Sequence, residues 1–530
     1  MKKIANLMLA FILSISSFSL IACGKNSDET AIKTIRVCNC EDYIDESLFE
    51  EFTAETGIEV IYSTYGTNEN LYNELVINPN SYDLVVPSEY MIEKLAEEGR
   101  IQKLDFSKLE DYKQNVSPYI EGKLKDLEFT VKDGEHKGKT ASLDEFTVGY
   151  MWGTMGWVYN KEFVSEKDVS SWHGPFENQS LSGKITIKDA VRDSYIVGLA
   201  MTYEEELKKA VEENDNKKIA QILNSTEKEN IEAVGETLTS LKPMLYGFEV
   251  DSGKNDIILG NINAYVAWSG DAAYAIDVAA GDAEDEDGEL IEDKSIKQLG
   301  YYIPDEGSNI WFDGFVMPSA SDNHDAVYKF LEFITRPESV YRNMDYTGYT
   351  SIVANGDFTL FDEETEEEYE TSLFDEVVLG WFDETEYLLE DADVQDVSQI
   401  TEEQMSELGY IEVDLSYFYG AEEGEYTVLI SEEGYGRLIA QYPTLDEISR
   451  CAVMQNFSSD SLMEVNDMWE SVKGTTFSTW FILVIVSLVI LLGIFMVLIR
   501  NKDKLNIFRI REREDKLKKK GYKIIKKEKI

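Results

Sequence analysis

Phe477 to Ile499 contains no charged residue and is long enough to cross a hydrocarbon core of about 30 Å as a helix. The flank beyond it, Arg500 to Ile530, is crowded with Lys and Arg, including Lys518-Lys519-Lys520 and Lys526-Lys527. Basic residues are retained on the cytoplasmic side, so the pattern predicts one C-terminal transmembrane helix over 477–499. The tail 500–530 is then inside and the large preceding part outside. Such a tail also suits anionic membrane lipid. A nucleic-acid arm is the poorer reading, because these charges directly follow an expected span.

The other end points the same way. Met1-Lys2-Lys3 precedes an apolar run from Ile4 to Ile21, the pattern of an export signal. Ala22 directly before Cys23, after Leu20-Ile21, resembles the lipobox of bacterial lipoproteins. By that likeness residues 1–22 are removed and Cys23 is the lipidation site.

The chain carries a net charge of -53, and without its basic tail the remainder is more acidic still. Such a field repels nucleic acid and attracts cations. With 43% hydrophobic and 12% aromatic residues it is not a disordered acidic segment. Roughly 450 residues between signal and span call for more than one lobe. The four cysteines give no disulfide framework: Cys23 is assigned to lipid, Cys451 is distant, and Cys38 and Cys40 alternate on one predicted strand and face opposite ways. No Cys or His cluster completes a zinc site, so no metal and no cofactor is expected.

From Lys33 the pattern reads strand (Thr34 to Cys38), helix (Ile44, Leu48, Phe49, Phe52), a stop at Gly57 and strand (Glu59 to Tyr62). A further strand, Tyr82 to Val86, ends at Pro87 and leads into a helix around Met91 to Glu98. This alternation predicts an α/β sheet, whose ligands sit at the carboxyl ends of strands. Trp268-Ser-Gly-Asp271 and Trp311-Phe-Asp313 fall near such ends, each setting an indole beside a carboxylate. An organic ammonium needs those groups: the ring face contributes roughly 0.5–2 kcal/mol and the carboxylate a charge-assisted hydrogen bond. The period of a strand puts Trp311 and Asp313 on one face. The plainer alternatives are Trp268 as core and Asp271 as a first-turn helix residue.

Asn39-Cys-Glu-Asp-Tyr43, Glu51 to Gly57 with Val60 to Tyr65, and Tyr82 to Ser88 resemble the spermidine/putrescine-binding proteins of ABC importers. So do Tyr150-Met-Trp-Gly-Thr154 with Tyr159-Asn160, Trp268 to Asp271, Trp311 to Asp313, Arg336-Pro337, Gly348-Tyr349 and Met454-Gln-Asn456, in the family's order. The resemblance covers about residues 33 to 350 and 441 to 473. It implies a two-lobed periplasmic-binding-protein-like fold of type II that closes on its ligand about crossover strands. Lobe 1 would be 33–143 with 311–349, and lobe 2 would be 146–310 with 442–473. It further implies an extracytoplasmic, non-enzymatic protein that captures a linear polyamine, putrescine or spermidine, for an ABC permease with a cytoplasmic ATPase.

Carried over residue by residue, Asp271 and Asp313 pair with protonated amines, with Asp42 and Asp193 as further anionic partners. Trp268, Trp311, Tyr43 and Tyr349 enclose the methylene chain. Ser88, Tyr90 and Gln455 line its ends. Two departures stand out. Cys40 occupies a position where the family usually has Trp, and only Asp193, with Asp189, remains of the acids around Ala190; Glu41 is placed to compensate. Asp271 is shared with the putrescine-type relatives, which favours a diamine.

Residues 351–441 have no counterpart in this pattern. The segment is acidic, as in Asp362 to Tyr369, but Phe374, Val377, Val378, Leu379, Trp381 and Phe382 predict a packed insertion. Gly134 to Thr140 is one residue short of a phosphate loop, and Asp282 to Gly288 fits no calcium-loop register. A glycoside hydrolase would need carboxylates set as acid and nucleophile, and the aspartates here stand among amine-binding aromatics. A membrane-anchored polyamine or cation sensor of the same fold is the alternative to transport; a tail of about 30 residues is too short for an output domain.

Overall fold

The computed structural model describes residues 33–280, 298–362, 367–474, 487 and 510–521. The expected signal, Cys23, the acidic run 282–288 and, Ser487 apart, the expected span 477–499 lie outside the described residues. Among the described residues no helix is long and apolar enough to cross a membrane. The chain divides into two compact units, Met1–Trp469 and Glu470–Ile530. In the second, a helix covers residues 510–519, with Lys516 paired to Glu512 one turn away at 2.8 Å.

The first unit opens with β1 (Lys33–Cys40). α1 (Ser47–Thr56) buries Leu48, Phe49 and Phe52 and stops at Gly57, whose φ of 69° is a left-handed conformation free of Cβ strain only in glycine. β2 (Ile58–Tyr65) returns parallel to β1, from Lys33 opposite Ile58 to Cys40 opposite Tyr65. β3 (Leu84–Val85) pairs on the other side, giving the order β2-β1-β3. It is shorter than the apolar pattern of Tyr82 to Val86 predicts. The Asp83 carboxylate accepts from the Arg36 guanidinium at 2.8 and 3.1 Å, and Pro87 removes the next donor. After Ser88 comes α2 (Glu89–Glu97).

A second sheet holds eight strands: β4 (Val148–Asn160), β5 (Ile185–Lys188), β6 (Leu245–Glu249), β7 (Ala264–Trp268), β8 (Leu299–Tyr302), β9 (Ser308–Phe315), β10 (Thr350–Ser351) and β11 (Cys451–Val453). Its order is β11-β9-β4-β7-β5-β6, with β8 and β10 also on β4. β4 is buried along its whole length. Its first half pairs antiparallel with β9 and its second half with β7 and β8, so one strand joins both ends of the sheet. Just past β9, Val316 bridges Val85 and ties the large sheet to the small one.

Helices bring the chain back between strands. α3 (Val191–Thr202) follows β5 and α4 (Ser269–Ala280) follows β7. α5 (His324–Ile334) covers the first sheet: Phe330 is fully buried, with its ring 5.3 Å from Phe52, 6.0 Å from Phe315 and 6.2 Å from Phe49. α6 (Pro337–Thr347) starts with a proline in its first turn, where the missing N–H costs nothing, and ends at Gly348 with φ 72°. The Arg336-Pro337 and Gly348-Tyr349 motifs are therefore the two ends of one helix, and the second delivers Tyr349.

The acidic segment is folded. It contains the hairpins Asp357–Asp362 with Glu367–Ser372 and Tyr410–Asp414 with Thr427–Ser431, and a small core of Leu388, Tyr410 and Leu429. Val377 and Val378 are buried, and Phe374 packs edge-on against Tyr419 and Tyr426.

Phe330 joins α1, α5 and β9, so Phe330→Ala should lower stability by about 3–5 kcal/mol through lost burial and a residual cavity. Chemical denaturation of the full chain in detergent checks this; a loss under 1 kcal/mol would show that the three elements hold without it.

Candidate ligand-binding site

β9 presents Trp311 and Asp313, two residues apart, toward the same cluster. The Trp311 indole donates to the Thr154 carbonyl at 3.3 Å and lies flat on Gly153 of β4, where a Cβ would stand 2.6 Å from the ring and 2.2 Å from Ser269 Oγ. Tyr349 meets Trp311 edge-on, with centroids 5.6 Å apart, and Tyr43 at 5.1 Å. Its ring rests on Gly270, where a Cβ would fall 2.3 Å away. Gly153 and Gly270 thus leave the space in which the rings of this aromatic box lie. Tyr150 backs it, its hydroxyl donating to the Tyr43 carbonyl at 2.6 Å.

Asp313 is partly exposed and accepts from the Tyr43 hydroxyl at 2.8 Å. Ser88 is bridged to it and donates a second hydrogen bond; Asn68 orients Ser88, accepting from its N–H at 3.1 Å and donating to its hydroxyl at 3.0 Å. Burial pushes the Asp313 carboxyl up to about 6, against the pull of those hydrogen bonds, and the Asp193 charge raises it further. Asp193, in the first turn of α3, is likewise pushed up to about 6 by burial, although it accepts from Trp268 Nε1 at 3.3 Å and feels Lys188 and Arg192. Glu89 is fully buried and accepts from the Phe312 N–H at 3.0 Å; burial lifts it to about 8, so it is protonated at neutral pH. Cys40 lies within the field of Asp313, and burial drives its thiol up to about 12. Cys38, Cys40 and Cys451 are free thiols.

Asp271 is 5% exposed and sits in the first turn of α4, as the plainer sequence alternative had it. It is held on three sides. Tyr349 donates to it at 3.1 Å, Lys188 Nζ stands 3.2 Å away and Lys254 Nζ 3.7 Å. The Lys188 ammonium also lies 4.0 Å from the centre of the Trp268 ring. The second indole–carboxylate pair of the sequence therefore surrounds a cation supplied by the chain itself.

Tyr90 and Gln455 also border an internal cation. The Arg192 guanidinium lies 4.4 Å from the Tyr90 ring and 3.7 Å from Phe457, and donates to the Gln455 carbonyl at 2.6 Å. The Tyr90 hydroxyl donates to Glu69 at 3.2 Å, and the Gln455 side is exposed. Asp42 is an exposed turn residue with φ 50°, beside exposed Glu41. Asp189 accepts from the Trp469 indole at 3.3 Å. The structure thus gathers Tyr43, Ser88, Asp193, Trp268, Asp271, Trp311, Asp313 and Tyr349 around one centre. Sequence reasoning missed Lys188, Arg192, Lys254 and Glu89. The available signal was a lysine at the end of the wholly buried strand β5, directly before Asp189.

An α/β fold with carboxylates and aromatic rings gathered along β9 and beyond the ends of β1, β3 and β7 suits a receptor for a small solute. The family model described as bacterial extracellular solute-binding protein matches residues 47–357, and the chain belongs to this family, which binds solutes without catalysing a reaction. The spermidine/putrescine-binding periplasmic protein of Salmonella typhimurium is 27% identical over 317 residues, 60% of this chain and 76% of that protein. The putrescine-binding periplasmic protein PotF of Escherichia coli is 29% identical over 330 residues, 60% of this chain and 78% of its own length. Among solved structures, the Tp0655 (TpPotD) lipoprotein of Treponema pallidum matches with a TM-score of 0.52 at 16% identity, covering 83% of this chain and 99% of that one. The fold is the α/β fold of periplasmic binding proteins.

Because the folded-state pKa of Asp313 lies above that of a free carboxyl, its ionisation costs stability in full above about pH 6. As pH falls through 6 the native state takes up that proton before the unfolded chain does, so the cost shrinks, and it disappears only below the ordinary carboxyl pKa of about 4, where both states are protonated. Asp313→Asn should therefore raise the stability of the unliganded protein by about 1 kcal/mol at pH 7.5, a modest gain because water screens a partly exposed carboxylate. At pH 5, where the native state has taken up the proton and the unfolded chain has not, the gain should shrink to about half. Thermal melts at both pH values decide; destabilisation at pH 7.5 would show that the ionised form is favoured in the fold.

Proposed function

We propose that this chain is the extracytoplasmic solute-binding component of an ABC importer and captures a linear polyamine in the cleft between two lobes. The observation that carries the reading is Asp313: a carboxylate drawn out of water beside Tyr43, Trp311 and Tyr349, with no lysine or arginine ion-paired to it among the described residues. An entering ammonium would supply the missing counter-charge, and the rings would cover its methylene chain. The curated relatives that bind spermidine or putrescine support the same class of ligand.

The lobes are those of the sequence reading, 33–143 with 311–349 and 146–310 with 442–473, and β4 and β9 serve as the crossover strands between them. Tyr349, which reaches from the end of α6 to Asp271 of α4, makes a contact that hinge closure would form. Lipid on Cys23 and the helix 477–499 hold the receptor at the membrane, near a permease whose ATPase is cytoplasmic. One lipid chain binds a bilayer only marginally, so the helix dominates retention.

Calorimetric titration of the full chain in detergent against putrescine, cadaverine, spermidine and spermine, with amino acids and sugars as controls, tests the reading. Amines alone should bind, and Asp313→Asn should cost about 2–5 kcal/mol of that affinity. Binding of a sugar or amino acid in place of every amine would overturn it.

A further inference from the structure

We propose that Lys188 is a specificity-determining residue whose ammonium permanently fills the Trp268–Asp271 subsite, leaving the cleft one free place for a cation, at Asp313. The inference rests on the polyamine reading and narrows it to linear alkylamines recognised through one terminal ammonium.

The geometry around Lys188 is that of a bound ammonium. Its Nζ stands 4.0 Å from the centre of the Trp268 ring, 3.2 Å from Asp271 Oδ2, 2.8 Å from the Val250 carbonyl and 3.7 Å from Glu249. Of the three N–H donors of the ammonium, one goes to the Val250 carbonyl and one to Asp271, while Glu249 at 3.7 Å adds a second anionic partner at ion-pair distance. The Lys188 and Asp271 side chains are 1% and 6% exposed, so this ion pair is shut off from water and from an incoming ligand, while Trp268 at the end of β7 stays partly exposed.

Charge counting leads to the same place. Asp271 and Glu249 are matched by Lys188 and Lys254, the latter 3.7 Å from Asp271 and 2.9 Å from Asp251. Asp193 lies in the fields of Lys188 and Arg192. Among the described residues, Asp313 is left as the carboxylate of this cluster without a paired cation, held by hydroxyls from Tyr43 and Ser88. A second ammonium pushed toward Trp268 would meet a like charge there instead of a free acid, which is repulsive discrimination built into the pocket.

The test compares n-butylamine with putrescine, which share four carbons and differ by one ammonium, on the full chain in detergent by calorimetry. The unaltered protein should bind the two within about threefold, under 1 kcal/mol. Lys188→Ala empties the subsite and should favour putrescine at least tenfold, with putrescine also restoring thermal stability that the substitution removes. Lys188→Arg keeps a cation in place and should retain the even preference. More than tenfold preference for putrescine in the unaltered protein overturns the inference even if Lys188→Ala fails to fold. An unchanged ratio in a folded Lys188→Ala also overturns it. If no amine binds at all, the polyamine reading falls and the inference falls with it.

Discussion

Removing an ionised carboxylate from water costs several kcal/mol unless a counter-charge or hydrogen bonds replace the lost hydration. The centre of this molecule does so with Glu89, Asp193, Glu249, Asp271 and Asp313, and the arrangement of the cleft follows from how each is compensated. Glu89 gives up its charge, since burial keeps it protonated at neutral pH. Asp271 and Glu249 are paired with Lys188. Asp193 and Asp313 are the intermediate cases, raised to about 6 by burial, and the Asp193 charge adds to the rise of Asp313. A protein that only had to be stable would not leave Asp313 short of a cation. One that binds a cation gains from the deficit, because the ligand relieves a cost already present in the empty cleft.

The backbone decides where that deficit lies. β4 runs buried from end to end, and three of its glycines stand where neighbouring side chains come close: Gly149 under Ile352, Gly153 under Trp311 and Gly156 under Tyr301. A Cβ at any of them would come within 3.0 Å of another residue. Trp311 can lie on the strand only because Gly153 has no side chain, and Tyr349 can lie on α4 only because Gly270 has none. The rings are thereby fixed against backbone, and the carboxylates beside them inherit that fixed geometry.

What was legible in the sequence is what local pattern encodes. Gly57 stops a helix, and Trp311 and Asp313 share a strand face; both are decided within a few residues. The α/β alternation pointed to strand ends, where Tyr43, Ser88 and Trp268 lie, whereas Trp311 and Asp313 stand within β9. The acids' partners were not legible, because Lys188 finds Asp271 83 positions away and Arg192 finds the Gln455 carbonyl 263 positions away. No spacing rule joins such residues. The shortened β3 has a similar cause: apolar alternation predicts a strand through Asp83, but its carboxylate is claimed by Arg36, 47 residues earlier.

The outside of the molecule and its cleft then divide the work of recognition. A net charge of -53 attracts cations of every kind, so long-range steering raises the rate of encounter without choosing among them. Choice requires a difference in free energy at short range, where water is excluded and the number of unpaired charges counts. An acid-rich cleft without internal cations would favour whichever ligand carried the most positive charge. On the proposed polyamine reading, Lys188 and Arg192 would cap that tendency by supplying positive charge in advance, and selectivity would pass from the total charge of the ligand to how well one ammonium and its methylene chain fit between Asp313, Trp311 and Tyr349.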